Sequence, residues 1–153
     1  MKHIIFIIIS MIFIPLQMDA QESQNLEKVK EKMLQNAIEI GKSYNFSLDY
    51  SDESINNVES ILSDINSEYV KNKNEEGLRG IALIFSFYIV AVIEKNHGKG
   101  KLERDDKSIG KDTFPFYWNG STLFPYGWCL KRIYDGDGDN IAIKYKMLVL
   151  KPK

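Results

Sequence analysis

Phe114-Pro115-Phe116-Tyr117-Trp118-Asn119-Gly120-Ser121-Thr122-Leu123-Phe124 is where the chain changes its grammar. Phe114, Phe116 and Trp118 recur at every second residue, the period of a half-buried strand. Asn119-Gly120 is the dipeptide that best tolerates the two left-handed conformations of a tight hairpin turn. Ser121 to Phe124 then returns as a second strand. Between Gln21 and Gly98 the apolar residues recur mainly with a helical period, interrupted by a short extended linker at Phe46–Tyr50 and a charged connector at Lys71–Glu76, so the change of period after Gly98 divides the chain into a helical part and a strand part.

Working back from it, Ile81 to Ile93 is apolar at every position except Ser86. That run is long for a strand and short for a membrane span, which takes about 20 residues. It reads as a helix buried on most sides, from about Glu76 to Asn96, stopped by Gly98. Upstream, Ile55, Val58, Ile61, Leu62, Ile65 and Tyr69 form the stripe of another helix. Ser51 is its N-cap, with Asp52 and Glu53 where carboxylates oppose the helix dipole. Leu26, Val29, Met33, Ala37, Ile40 and Tyr44 mark a first helix from about Ser23 to Lys42.

Working forward, Trp128, Leu130 and Arg132 alternate with Cys129, Lys131 and Ile133, the pattern of a strand. Asp135 to Asn140 is a polar turn. Ile141, Ile143, Tyr145, Met147 and Val149 suit one face of a last strand, with Lys144 and Lys146 on the other. Helices first and strands later give an α+β fold, three N-terminal helices packed on a C-terminal antiparallel β-sheet.

The N-terminus has its own layout. Met1-Lys2-His3 is weakly cationic, Ile4 to Leu16 is an apolar run, and Gln17 to Ala20 is polar and ends in a small residue. That order is a secretory signal peptide. The expected organisation is a signal peptide over 1–20 and a single α+β domain over 21–153. An exported protein in the periplasm or cell envelope follows, with no stable membrane span after cleavage. The lone Cys129 excludes a disulfide within the chain, so an apolar core must suffice.

Charge divides by halves. Gln21 to Glu76 carries 12 acidic and 6 basic side chains, and Gly77 to Lys153 carries 8 and 13. Either the halves attract each other inside one fold or simply cover solvated faces, or one presents its charge to a partner. Along the second helix Asp52, Glu53, Glu59, Asp64 and Glu68 are acidic, and no Lys or Arg falls between Asp49 and Val70. Glu59, Asp64 and Glu68 are therefore candidate partner-binding residues.

Histidine usage narrows the chemistry. His97 is the only histidine after the signal peptide, so a multi-histidine zinc site is out of reach. Glu94 and His97 form one Glu-x-x-His element without a twin. No Gly-x-Ser-x-Gly elbow is present. Cys129, between Trp128 and Leu130, reads as a structural cysteine. Asp135-Gly136-Asp137-Gly138-Asp139-Asn140 lacks the Gly and Glu that an EF-hand loop needs at its sixth and twelfth positions. It reads as a tight turn, with weak calcium binding through Asp135, Asp137 and Asp139 as the alternative. No cofactor, metal or catalytic residue is assigned. Seven rings lie between Phe114 and Trp128. By alternation half of them enter the core, leaving Tyr117, Trp118 and Tyr126 as candidates for a binding face.

Leu48-Asp49-Tyr50-Ser51-Asp52-Glu53-Ser54 entering a helix resembles the opening of an uncharacterised family of small bacterial α+β proteins of unknown function. The Tyr-bearing buried helix ending in Asn96-His97-Gly98, the hairpin region Gly120-Ser121-Thr122-Leu123-Phe124-Pro125, and Lys131-Arg132 before an Asp/Asn turn are similar to it too. The likeness spans roughly Phe46 to Leu150. The family's Gly-Glu pair and the Trp after it are replaced here by Val90-Ala91 and Leu102, so any role of that pair does not carry over. The resemblance implies no established activity.

The leading expectation is a non-enzymatic interaction module whose partner is another protein, immunity-like in its most concrete form. Nucleic acid is disfavoured by export and by the lack of basic residues among the rings. The alternatives are a small envelope hydrolase using Glu94 and His97 or the Glu103–Asp106 carboxylates, and a structural subunit of an envelope complex.

Overall fold

A computed structural model describes residues 25–151. The expected signal peptide lies outside them. Helix α1 covers residues 25–43. Helices α2 (Ser54–Asn72) and α3 (Leu78–His97) follow, then strands β1 (Lys101–Leu102), β2 (Phe116–Trp118) and β3 (Ser121–Leu123). Helix α4 (Pro125–Asp135), a 3₁₀ turn (Asp137–Asp139), the short helix α5 (Ile141–Tyr145) and a π-helical turn (Lys146–Leu150) complete the chain. Among the described residues no helix is long and apolar enough to cross a membrane.

The mixture of helix and strand stands, but the arrangement differs from the sequence reading. The three helices are where their periodicity put them, and α3 buries nearly its whole circumference from Phe85 to Val90. The sheet is much smaller than expected. Its antiparallel strands run in the order β1-β2-β3, with Phe116 opposite Leu123, Tyr117 opposite Thr122 and Trp118 opposite Ser121. Asn119 (φ 49°) and Gly120 (φ 72°) make the hairpin turn with the two positive φ angles that their side chains allow.

The two strands expected after the hairpin are helices. Pro125 occupies the first turn of α4, where its missing N–H costs nothing. Trp128, Cys129, Arg132 and Ile133 then fall on one buried face. In the last segment Ile141, Tyr145 and Val149 are buried, a spacing of four, whereas Ile143 and Met147 are exposed. Asn140 caps α5 by accepting from the N–H of Ile143 at 2.9 Å. One apolar cluster joins residues of all five helices and the hairpin. Helix α4 packs against both α2 and α3.

Candidate functional site

Two segments far apart in sequence clasp each other at one end of the helical layer. The turn before α2 and the end of α3 are linked by the Asn96 amide, which donates to the Tyr50 carbonyl at 2.9 Å. Tyr88 accepts from the N–H of Tyr50 (2.9 Å) and lies 2.7 Å from Ser54 Oγ. Ser54 spends its own proton on the Ser51 carbonyl, so Tyr88 is the donor to Ser54. Burial raises the Tyr88 phenol above its ordinary value, which keeps that donor protonated. Ser51 Oγ also accepts from the N–H of Ser54 at 3.2 Å, but the helix begins at Ser54 and its N-cap position is Glu53 rather than the expected Ser51. Asp52 and Glu53 lie just before the helix rather than in its first turn.

Asp52 is the centre of this end. Its carboxylate oxygens lie 2.9 and 3.0 Å from His97 Nε2, and it accepts from the Tyr145 hydroxyl at 2.5 Å. The carboxylate has only lone pairs to offer, so Nε2 carries the histidine's bonding proton. Burial, and then the bond to Asp52, raise the Tyr145 phenol far above the usual range. The His97 ring meets Trp118 on one side and Tyr145 on the other, each at 6.4 Å between centroids. This triangle ties the turn before α2 to α3 and α5.

The acidic residues of α2 therefore divide. Asp52 serves His97 and Tyr145. Glu59 turns inward to Arg132, whose side chain is 1% exposed, at 2.7 Å. Its second oxygen accepts from the N–H of Ile141 at 2.7 Å, so the same carboxylate caps α5. Asp64 and Glu68 remain at the surface, Glu68 paired with Lys71 at 2.7 Å. Glu59–Arg132 and Asp52–His97 thus each join the acidic half of the chain to the other half inside the fold. Arg132 also reaches Asp137 at 3.0 Å, and its Nη1 is buried with no partner among the described residues.

The carboxylates considered for hydrolysis do not converge. Glu94 binds Lys30 at 2.5 Å, whereas His97 on the same helix turns to Asp52. Glu103 pairs with Lys101, and Arg104 with Asp112. Asp105 accepts from the N–H of Asp112, and Asp106 from the N–H groups of Ser108 and Ile109. Cys129 is wholly buried, and burial pushes its thiol far above the ordinary value, so it holds its proton. In the Asp135–Asn140 turn, Asp137 is engaged by Arg132 and Asp139 by Lys144. Among the described residues no cluster of three or more His, Cys, Asp or Glu is placed to hold a metal ion.

The three candidate rings also separate. Tyr126 packs edge-on against Phe114, at 5.4 Å. Tyr117 lies on the outer face of the hairpin, its hydroxyl 3.4 Å from Asp106. Trp118, mostly buried, borders a groove of about 380 Å³. One wall of that groove is β3 with Phe124 and Trp128. The other is the C-terminal π turn, through Met147, Leu148 and Lys151. Met147 and Leu148 on that wall are 55% and 49% exposed, and Ile143 and Leu150 in the same C-terminal segment are exposed too. A second depression, of about 460 Å³, runs along α1 from Glu31 to Lys42 and ends at Tyr50; Leu34 and Ile38 line it together with Glu31, Gln35, Glu39 and Lys42.

Sequence reasoning missed this groove because it assigned Ile143 and Met147 to the inner face of a strand. The available signal was the surplus of apolar residues in Ile141–Leu150, more than one helical stripe can bury. Comparison with protein-family models, with curated proteins and with solved structures finds no match to this chain.

Proposed function

We propose that the protein is an exported, non-enzymatic binding module of the cell envelope, immunity-like in acting by holding another protein. We also propose that it groups with the small bacterial α+β proteins that its Leu48–Ser54 and Asn96–Gly98 segments resemble. The observation that carries the binding reading is the apolar groove between β3 and the C-terminal turn, with exposed Met147 and Leu148 on its rim. Large apolar side chains left together in water mark an interaction surface more often than a solvated one. Asp52, His97, Glu59 and Glu94 are each engaged in fastening one part of the fold to another.

The same exposed face gives the subunit reading its support, as an apolar surface waiting for a larger assembly. Size of the partner separates the two. The test is capture from an envelope extract of the native host, on the wild-type chain and on Met147→Lys/Leu148→Lys. A protein held by the first and lost from the second supports the module. Equal retention on both refutes the groove as the site.

A further inference from the structure

The groove has one wall made of backbone. In the β2–β3 hairpin, Trp118 and Ser121 flank the two-residue turn and form its closing hydrogen-bonded pair. Antiparallel pairs alternate, so Tyr117–Thr122 is a non-bonded pair, and the N–H and C=O of Thr122 point away from β2. They have no partner among the described residues. β3 is the edge of the sheet, and its neighbour across the groove is a set of side chains rather than a strand.

We propose that the groove takes an extended segment of another protein as a fourth strand on β3, with apolar side chains against Trp118, Trp128 and Met147 and acidic ones beside Lys151. The inference rests on the binding-module reading above and names the chemistry of its partner. An exposed edge offers main-chain hydrogen bonds, and pockets beside it select alternate side chains. Here the pocket is aromatic and apolar, which fixes the character of every second residue of the guest.

Charge fixes the rest. Ile141 to Lys151 contains Lys144, Lys146 and Lys151 and no acidic residue. Lys144 is held by Asp139, whereas Lys146 and Lys151 have no ionic partner among the described residues. A second copy of this chain would bring the same lysines face to face across a two-fold axis, because such an interface repeats one patch on both partners. Like charges so placed disfavour self-association. An acidic, alternately apolar strand from a different protein meets both demands.

The test selects a phage-displayed library of random 12-residue peptides on the full chain, then measures the enriched peptides by fluorescence anisotropy. The expected peptides alternate apolar residues with others and carry Asp or Glu. Thr122→Pro removes the outward N–H, and should weaken binding by about fivefold or more. Because that change could disturb the hairpin, the reciprocal experiment leaves the protein intact. N-methylation along a selected peptide should abolish binding at every second residue. Lys151→Glu should weaken acidic peptides and raise their salt independence.

Peptides that lose affinity with Met147→Lys, yet ignore Thr122→Pro and show no two-residue period on N-methylation, would overturn strand addition and leave the groove reading standing. A library that yields no peptide sensitive to any of these changes counts against both. A dimer in sedimentation that Met147→Lys dissolves would replace the foreign strand by a second copy and overturn this proposal.

Discussion

Removing the Glu59 carboxylate should be among the most damaging single changes in this chain. Glu59 holds Arg132 Nε at 2.7 Å and the N–H of Ile141 at 2.7 Å. Arg132 is 1% exposed, so without Glu59 its charge stays in the core with only the highly exposed Asp137 for company. Breaking one side of a buried pair costs about 3–5 kcal/mol, because the other charge is left uncompensated. A small domain holds about 5–15 kcal/mol in total. Glu59→Ala should therefore lower Tm by roughly 10–20 °C, at about 3–5 °C per kcal/mol for a chain of this size. Urea unfolding followed by the fluorescence of Trp118 and Trp128 measures it, with the slope m unchanged. Glu59→Gln keeps one acceptor oxygen and should fall between. Asp64→Ala, on the same helix but exposed, should stay within about 0.5 kcal/mol of wild type. Glu59→Leu with Arg132→Met should recover most of the loss, since an apolar pair of similar volume removes both charges. If Glu59→Ala instead behaves like Asp64→Ala, Glu59 is a surface acid and the internal ion pair is wrong.

Other expectations follow from the same contacts. Tyr145→Phe should cost about 1.5–3 kcal/mol at neutral pH, the value of a hydrogen bond to a charged group, read by urea denaturation. The raised Tyr145 phenol holds its proton more tightly folded than unfolded, so its contribution is complete below the unfolded value of about 10 and is lost as pH rises beyond it. Melts between neutral and strongly alkaline pH should show that slope, and Tyr145→Phe should reduce it. Cys129 should resist a disulfide-exchange reagent in the native protein and react fully once unfolded, because its burial raises the thiol and shuts out the reagent. Gly100→Ala should destabilise by about 1–3 kcal/mol, since a Cβ there would stand 2.4 Å from two Phe116 ring carbons and 2.8 Å from the Tyr117 carbonyl oxygen; thermal melts check it.

The parts of the fold legible in the sequence are those where one period alone fits. Ile55, Val58, Ile61, Leu62 and Ile65 admit only a helix, and all are buried on α2. Asn119-Gly120 names its turn because few other residues accept positive φ twice running. The C-terminal segment was ambiguous because Ile141, Ile143, Tyr145, Met147 and Val149 satisfy a period of two, while their subset Ile141, Tyr145 and Val149 satisfies a period of four. β-Branched residues favour the first reading locally. Tertiary context chose the second, through the caps that Asn140 and Glu59 place on α5. α4 was hidden differently. Its buried stripe includes Arg132, a residue that sequence patterning places outside, and only a carboxylate from another helix makes that burial tolerable.

This bears on how the acids of α2 relate to binding. Read along the chain, Asp52 and Glu59 belong to one acidic face that a basic partner would meet. In the fold both are engaged by groups of the chain itself. Glu59 fixes the start of α5 at Ile141, and Asp52 fixes its end at Tyr145. The π turn that follows directly carries Met147 and Leu148, the far wall of the groove. Two carboxylates thus anchor the short helix that leads into that wall. A variant that weakens either link without unfolding the chain, such as Tyr145→Phe, should therefore loosen peptide binding although it touches nothing in the groove. Asp64→Ala and Glu68→Ala should leave binding unchanged. The reverse pattern, with binding sensitive to Asp64 and Glu68 and indifferent to Tyr145, would return the interface to the exposed side of α2 and remove the groove from the argument.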